Sequence, residues 1–169
     1  MVEIRTDRLR LRPASPADLH GIHAVLSDPR ATAYWSTPPH ADLQQTQAWL
    51  QGMIEIPAGE GEDFVVEYAG RVIGKAGLYR FPEIGFIFHP EYWGKGFAAE
   101  AVRVVLDRAF TVHKLDRVLA DVDPRNDASL RLLGRLGFRE TGRRQRTWHV
   151  GGRWCDSVYL ELAAGDWRG

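Results

Sequence analysis

The chain has 169 residues, 44% hydrophobic and 11% aromatic, which supplies apolar surface for one buried core and excludes an intrinsically disordered chain. Lysine plus arginine (22) balances aspartate plus glutamate (22), so the global attraction to polyanions that marks most nucleic-acid binders is absent. No apolar run approaches the roughly 18 residues that span a bilayer, and the opening MVEIRTDRLRLRP alternates charge with hydrophobes instead of forming a signal-peptide core. A cytoplasmic protein with no membrane or nucleic-acid partner is expected. The lone cysteine, Cys155, can form neither an internal disulfide nor a cysteine-based zinc site by itself.

In chain order, Ile4, Leu9 and Leu11 sit among Arg8, Arg10 and Arg12 with the period of a half-buried strand, which Pro13 ends. Ser15 ahead of Pro16 is an N-cap with proline at the first helical position, and Leu19, Ile22, His23 and Leu26 keep helical spacing up to Pro29. A second helix is predicted from Ala41 to Ile54 on Leu43, Trp49, Leu50 and Met53. From Asp63 the pattern changes to strands. DFVVEYA, a turn at Gly70 and Arg71, and VIGKAGLYR read as a hairpin, and EIGFIFHP is a further strand stopped by Pro90.

The loop YWGKGFA then enters a helix from about Ala98 to Phe110, with Ala101, Val102, Val105, Leu106 and Ala109 on one stripe. Leu115 to Val122 is a strand, DPRN a turn, and Ala128 to Leu136 a short helix ended by Gly137. Phe138 to Val150 and Arg153 to Leu162 form a terminal hairpin that turns at Gly151 and Gly152. No repeat or linker divides the chain. Residues 1–169 are expected to form one α+β domain, a mixed sheet with helices on its faces.

Trp93, Gly94, Lys95, Gly96, Phe97 and Ala98 place two glycines and a small residue where a strand hands over to a helix. Bare backbone N–H groups there, helped by the positive end of the helix dipole, can hold a pyrophosphate. Taken alone, such a G-x-G also serves as a tight turn that needs glycine for its own conformation.

With that loop stand RTDRLRLRP at the start, EIGFIFHPEYWGKGFAAEAV in the middle, NDASLRLLGRLGFRETG, and Asp156 to Leu160 near the end. In these motifs and their order the sequence resembles the GNAT superfamily of acyl-CoA-dependent N-acetyltransferases, particularly the Rim-type branch named for ribosomal-protein N-terminal acetylation. The resemblance covers nearly the whole chain. It implies the GNAT fold: a mostly antiparallel central sheet with a splayed strand pair, flanked by about four helices, holding acetyl-CoA as co-substrate with no metal. At the first position of the pyrophosphate loop, where the superfamily carries glutamine or arginine, this chain has Trp93.

The resemblance further implies that the pantetheine arm pairs along Gly85 to His89, lined by Phe86, Ile87 and Phe88, as an added half-strand would. Asn126 and Ser129 match the family's N-x-x-S positions, the asparagine on the cofactor arm and the serine near the thioester sulfur. Locally, Asn126 also reads as a helix cap. The attacking amine must be neutral, so a base must take its proton. Glu83 stands where related enzymes often carry that base, and it also reads as a strand-end carboxylate. A backbone N–H near Phe88 is the expected donor to the developing oxyanion. Tyr34, Trp35 and Trp49 fall where the family forms its acceptor pocket, and equally suit a core.

Cys155, in an alternating strand, reads as a small buried hydrophobe. His20 and His23 lack the further ligands of a metal site. Arg143, Arg144 and Arg146 suit a solvated strand face, with the 3′-phosphate of coenzyme A or an acidic acceptor as the other use. The expected activity is acetyl transfer to a primary amine, a protein N-terminus or a small molecule, by a monomer or homodimer. The alternative is a non-catalytic acyl-CoA-binding module of the same fold.

Overall fold

The computed structural model describes residues 2–169 and differs from the expected element order at its first strand. That stretch is two short strands, β1 (Ile4–Arg5) and β2 (Leu9–Arg12), paired antiparallel with Ile4 opposite Leu11. The Thr6 hydroxyl accepts the Leu9 N–H at 3.0 Å and closes the turn between them. A local side-chain hydrogen bond of this kind leaves no trace in the hydrophobic period.

Downstream, Asp18 accepts the Ser15 N–H at 2.8 Å and leads into α1 (Leu19–Leu26). The second helix begins two residues later than expected: Asp42 caps α2 (Leu43–Ile54) by accepting the Gln45 N–H at 2.8 Å. Then follow β3 (Glu62–Tyr68), β4 (Arg71–Arg80), β5 (Glu83–Phe88), α3 (Phe97–Thr111), β6 (Arg117–Val122), α4 (Asp127–Arg135), β7 (Arg139–Val150) and β8 (Arg153–Ala163).

Among the described residues eight strands form one open sheet in the order β1-β2-β3-β4-β5-β6-β8-β7, antiparallel except for β5 and β6. That parallel pair shares a single register, Glu83 opposite Leu119, with the Leu119 N–H on the Pro82 carbonyl at 2.9 Å. On the other edge of β5 the His89 N–H reaches the Ile73 carbonyl of β4 at 2.8 Å. Main-chain groups alternate sides along a strand, so those of Ile84, Phe86 and Phe88 face β6. The Ile84 N–H is taken by the Leu119 carbonyl of that same pair; beyond it no ladder partner follows, and the strands part.

Apolar residues cover both faces of the sheet. On one, Leu11, Phe64, Ile73 and Leu78 pack with Ala101, Val105 and Leu106 of α3 and Leu133 of α4. On the other, Val65 and Ile87 pack with Ile22, Val25 and Leu26 of α1 and Leu50 and Met53 of α2. Each such large side chain contributes about 1.5–3 kcal/mol on burial, which fixes both helix pairs and frames the gap between β5 and β6. Among the described residues no helix is long and apolar enough to cross a membrane.

Candidate active site

One cavity, of about 550 Å³, opens where the ends of β5 and the starts of α3 and α4 converge. Gly94 and Gly96 take the left-handed conformation, with φ of 72° and 79°, and Gly96 is the N-cap of α3. L-residues rarely adopt that geometry, and the missing side chains leave backbone amides and the helix dipole facing the cavity. Trp93, Gly94, Gly96, Phe97 and Ala98 all line it. The Trp93 indole donates to the Phe88 carbonyl at 2.9 Å and ties the loop to the end of β5. The Phe88 N–H and both main-chain groups of Phe86 are left facing the gap.

Phe86, Ile87 and Phe88 line the same cavity from β5, and Asn126 and Ser129 line it from the start of α4. Asn126 caps that helix as well, accepting the Ser129 N–H at 3.2 Å. Lys95 is exposed and does not line the cavity; its Nζ stands 5.7 Å from the Tyr92 ring centroid. Its carbonyl accepts from Arg8 at 2.8 Å. Arg8 also donates to Glu100 at 2.7 Å and lies 4.4 Å from the Phe97 ring centroid, so the β1–β2 turn braces the loop from beneath.

The arginines on this cavity are Arg30, Arg131 and Arg135. Arg143, Arg144 and Arg146 lie on β7 and line neither cavity described here: Arg143 pairs with Glu140, and the Arg146 guanidinium stands 5.2 Å from the Trp154 ring centroid. The spacing of Arg131 and Arg135, i and i+4 on α4, was the signal in the sequence for a shared helix face.

A second cavity, of about 610 Å³, lies on the α1/α2 face of the sheet. Trp49 from α2, Tyr79 from β4 and Trp148 from β7 wall it, and Tyr34 and Trp35 line both cavities. Two residues past the last β5–β6 pair, Gly85 and Asp121 flank the gap and border this cavity together. The Trp148 indole donates to Asp121 at 3.0 Å. At the floor, the Lys75 ammonium meets Asp63 at 2.8 Å, with both side chains buried.

Glu83 stands at the closed end of the gap and is not itself part of either lining. It accepts from Arg80 at 3.1 Å and from the Tyr79 hydroxyl at 3.0 Å. Burial, reinforced by that hydrogen bond, pushes the Tyr79 phenol up to about 12. Tyr79 is therefore a neutral hydroxyl that links Glu83 to the cavity.

Cys155 is half-buried and lines the second cavity, where a buried hydrophobe was expected; Arg125 approaches its sulfur at 3.7 Å. His23 packs against α2, with Nδ1 2.7 Å from the Thr46 hydroxyl. Among the described residues no three histidine, cysteine, aspartate or glutamate side chains are grouped as a metal would need. The sequence reading missed Asp63, Lys75 and Asp121. Its available signal was a lysine inside the apolar run VIGKAG.

Residues 8–139 match the acetyltransferase (GNAT) domain family. The chain is 32% identical over 179 residues to the uncharacterized N-acetyltransferase p20 of Bacillus licheniformis, with both chains covered in full. It is 32% identical over 166 residues to the L-methionine sulfoximine/L-methionine sulfone acetyltransferase of Pseudomonas aeruginosa, covering 90% of this chain and 92% of that one. The spermidine N-acetyltransferase of Vibrio cholerae, solved with CoA and spermine, superposes with a TM-score of 0.81 at 26% identity over 95% of this chain and 98% of that one. With a matched family that spans most of the chain and a full-length relative above 30% identity, the protein belongs to the GNAT family of acetyltransferases.

Proposed function

We propose that the protein moves the acetyl group of acetyl-CoA to a primary amine of a small molecule by direct attack in a ternary complex. The observation that carries this reading is the meeting of two cavities at Tyr34 and Trp35, beside the parted edges of β5 and β6. The diphosphate sits on the amides of Gly94 to Ala98, near Arg30, Arg131 and Arg135. The pantetheine arm hydrogen-bonds the free main-chain groups of Phe86, as an added strand would, and leaves the Phe88 N–H to the thioester carbonyl. Ser129 stands by the sulfur as a donor to the departing thiolate.

The acceptor enters from the aromatic cavity, and Asp121 orients its ammonium across the gap from Gly85. Its proton passes to the Tyr79 oxygen while the Tyr79 hydroxyl proton passes to Glu83, so Glu83 acts as base through one intervening group. The neutral nitrogen then attacks the thioester carbonyl, and the Phe88 N–H meets the developing oxyanion. Aromatic walls on several sides favour a small amine over a protein N-terminus.

The test is free-thiol release from acetyl-CoA across a panel of amino acids, polyamines, aminoglycosides and N-terminal peptides, with mass spectrometry of the product. Turnover of a small amine is expected. Coenzyme A binding without thiol release on any amine would overturn the proposal in favour of an acyl-CoA-binding module.

A further inference from the structure

Resting on the acceptor-site reading above, we infer that Lys75, anchored by Asp63, is a carboxylate-binding subsite and that the acceptor is therefore a zwitterion of amino-acid class rather than a polyamine. Lys75 lies in mid-strand on the α1/α2 face, beside the apolar Val65 and Ile87. Its side chain is 2% exposed and that of Asp63 is 3% exposed. Burying an ammonium costs several kcal/mol unless it is paired, and Asp63 Oδ2, at 2.8 Å, supplies the pairing. That contact uses one of three N–H donors.

The backbone is shaped around the pair. A Cβ on Gly77 would come within 2.4 Å of the Asp63 Oδ1, and one on Gly85 within 3.2 Å of the Tyr79 ring and 3.6 Å of the Lys75 Nζ. The groups next to the ammonium are rings, with the Trp35 and Tyr79 centroids at 6.0 and 5.8 Å. The Trp35 indole N–H is itself buried without a partner among the described residues. Two Lys75 N–H donors and the Trp35 indole N–H are thus unspent, and so is one acceptor, the buried Asp63 Oδ1; a ligand carboxylate on the open side of Nζ brings the oxygen lone pairs that the ammonium lacks.

A polyamine would bring a second ammonium against Lys75. A carboxylate on the side of Nζ away from Asp63 is attracted at hydrogen-bond distance and repelled only from beyond it. Because the interaction falls as the inverse of distance, attraction wins. Asp121, bordering the same cavity from β6, complements the amine end of the same molecule. The same lining also holds Asp123, paired with Arg125 at 2.7 Å, and Asp156 and Arg153, so both signs of charge are present and a dipolar ligand matches the arrangement better than a polycation.

The experiment compares neutral amino acids with their amides, which keep the amine and lose the carboxylate charge, and with spermidine. With the wild-type protein, kcat/KM for the amino acid should exceed that for its amide by about 10-fold or more, as expected for a charge-assisted contact in a desolvated site. The double variant Lys75→Met/Asp63→Leu removes both charges together, so that none is left buried alone, and should bring that ratio close to one. Equal turnover of acid and amide by the wild type, a preference for spermidine, or an unchanged ratio in the variant would overturn the inference. Calorimetry of the same ligands on the coenzyme A complex tests the subsite without turnover. Tighter binding of the acid than of the amide supports it even if no acetyl transfer occurs, in which case only the catalytic reading falls.

Discussion

The two cavities share Tyr34 and Trp35 and border the same strand, yet they are built from different material. The first is made of main chain: left-handed glycines, a helix start, and the free edge of β5. The second is made of side chains, with Asp63 and Lys75 facing each other across β3 and β4, Asp121 on β6 and Trp148 on β7. A backbone site demands particular conformations of a few consecutive residues. A side-chain site demands only that distant positions meet, and it can change its preference one residue at a time.

The largest expected effect breaks the backbone site. Gly96→Trp must place a side chain at φ 79°, where its Cβ stands 3.3 Å from Arg8 Nη2. Affinity for coenzyme A measured by calorimetry should fall by about 100-fold, equivalent to about 2.7 kcal/mol, with the circular dichroism spectrum of the fold retained. Unchanged affinity would move the diphosphate away from this loop. Next come Glu83→Gln and Ser129→Ala, which should lower turnover more than coenzyme A affinity. The first should cost about 100-fold, the usual scale for losing a base, and the second less, because a thiolate needs little help to leave. Tyr79→Phe should follow Glu83→Gln if the proton passes through the hydroxyl, and wild-type turnover in all three would dismiss the assigned roles.

The same contrast explains what could be read from the sequence. The phosphate loop, Asn126 and Ser129 lie in short contiguous motifs, so a linear pattern carries them. The elements were legible too, since the stripe on α3 follows directly from burial on one face, and DFVVEYA and VIGKAGLYR are β-rich runs buried on both faces and separated by a turn at Gly70 and Arg71. Lys75 and Asp63 were not, because a charge in an apolar strand has meaning only once its partner on the next strand is known. Asp121 acquires its place from the parting of β5 and β6, which no local pattern encodes. The first hairpin was missed for a smaller reason, a threonine hydroxyl that closes a turn inside an alternating run.

A subtler variant sharpens the difference by acting on the loop from behind. Arg8 donates to the Lys95 carbonyl and to Glu100 and lies against the Phe97 ring, without lining either cavity. Arg8→Ala should raise KM for acetyl-CoA by about 10-fold, roughly the loss of one charge-assisted hydrogen bond, and leave kcat at saturation unchanged. The control is S-acetylpantetheine, which has no diphosphate and should keep its KM. A rise for both donors would show that Arg8 supports the fold at large and has no particular part in holding the phosphate loop.

The smallest effect belongs to the helices over the acceptor cavity. The His23 and His40 rings both reach the Thr46 hydroxyl at 2.7 Å, which joins α1, α2 and the segment between them. Burial holds the His40 pKa below its ordinary 6.5, and the neighbouring His23 adds to this while Asp42 opposes it. The unfolded chain therefore takes up a proton first as pH falls, and the stability His40 contributes is full above pH 6.5 and lost as pH drops through the lower folded value. Asp18 and Glu67 titrate below their ordinary 3.8 and 4.5, because their arginine partners outweigh burial, so their contributions are lost only in more acidic solution. Melting temperature should decline as pH falls from 7 to 5. His40→Gln should flatten that decline. Hydrogen-exchange protection factors, which allow for the slower intrinsic exchange at lower pH, should fall over the same range in α1 and α2 and not in α3, because the acceptor side depends on titrating side chains where the cofactor side depends on backbone amides; an equal fall in α3 would place the linkage elsewhere.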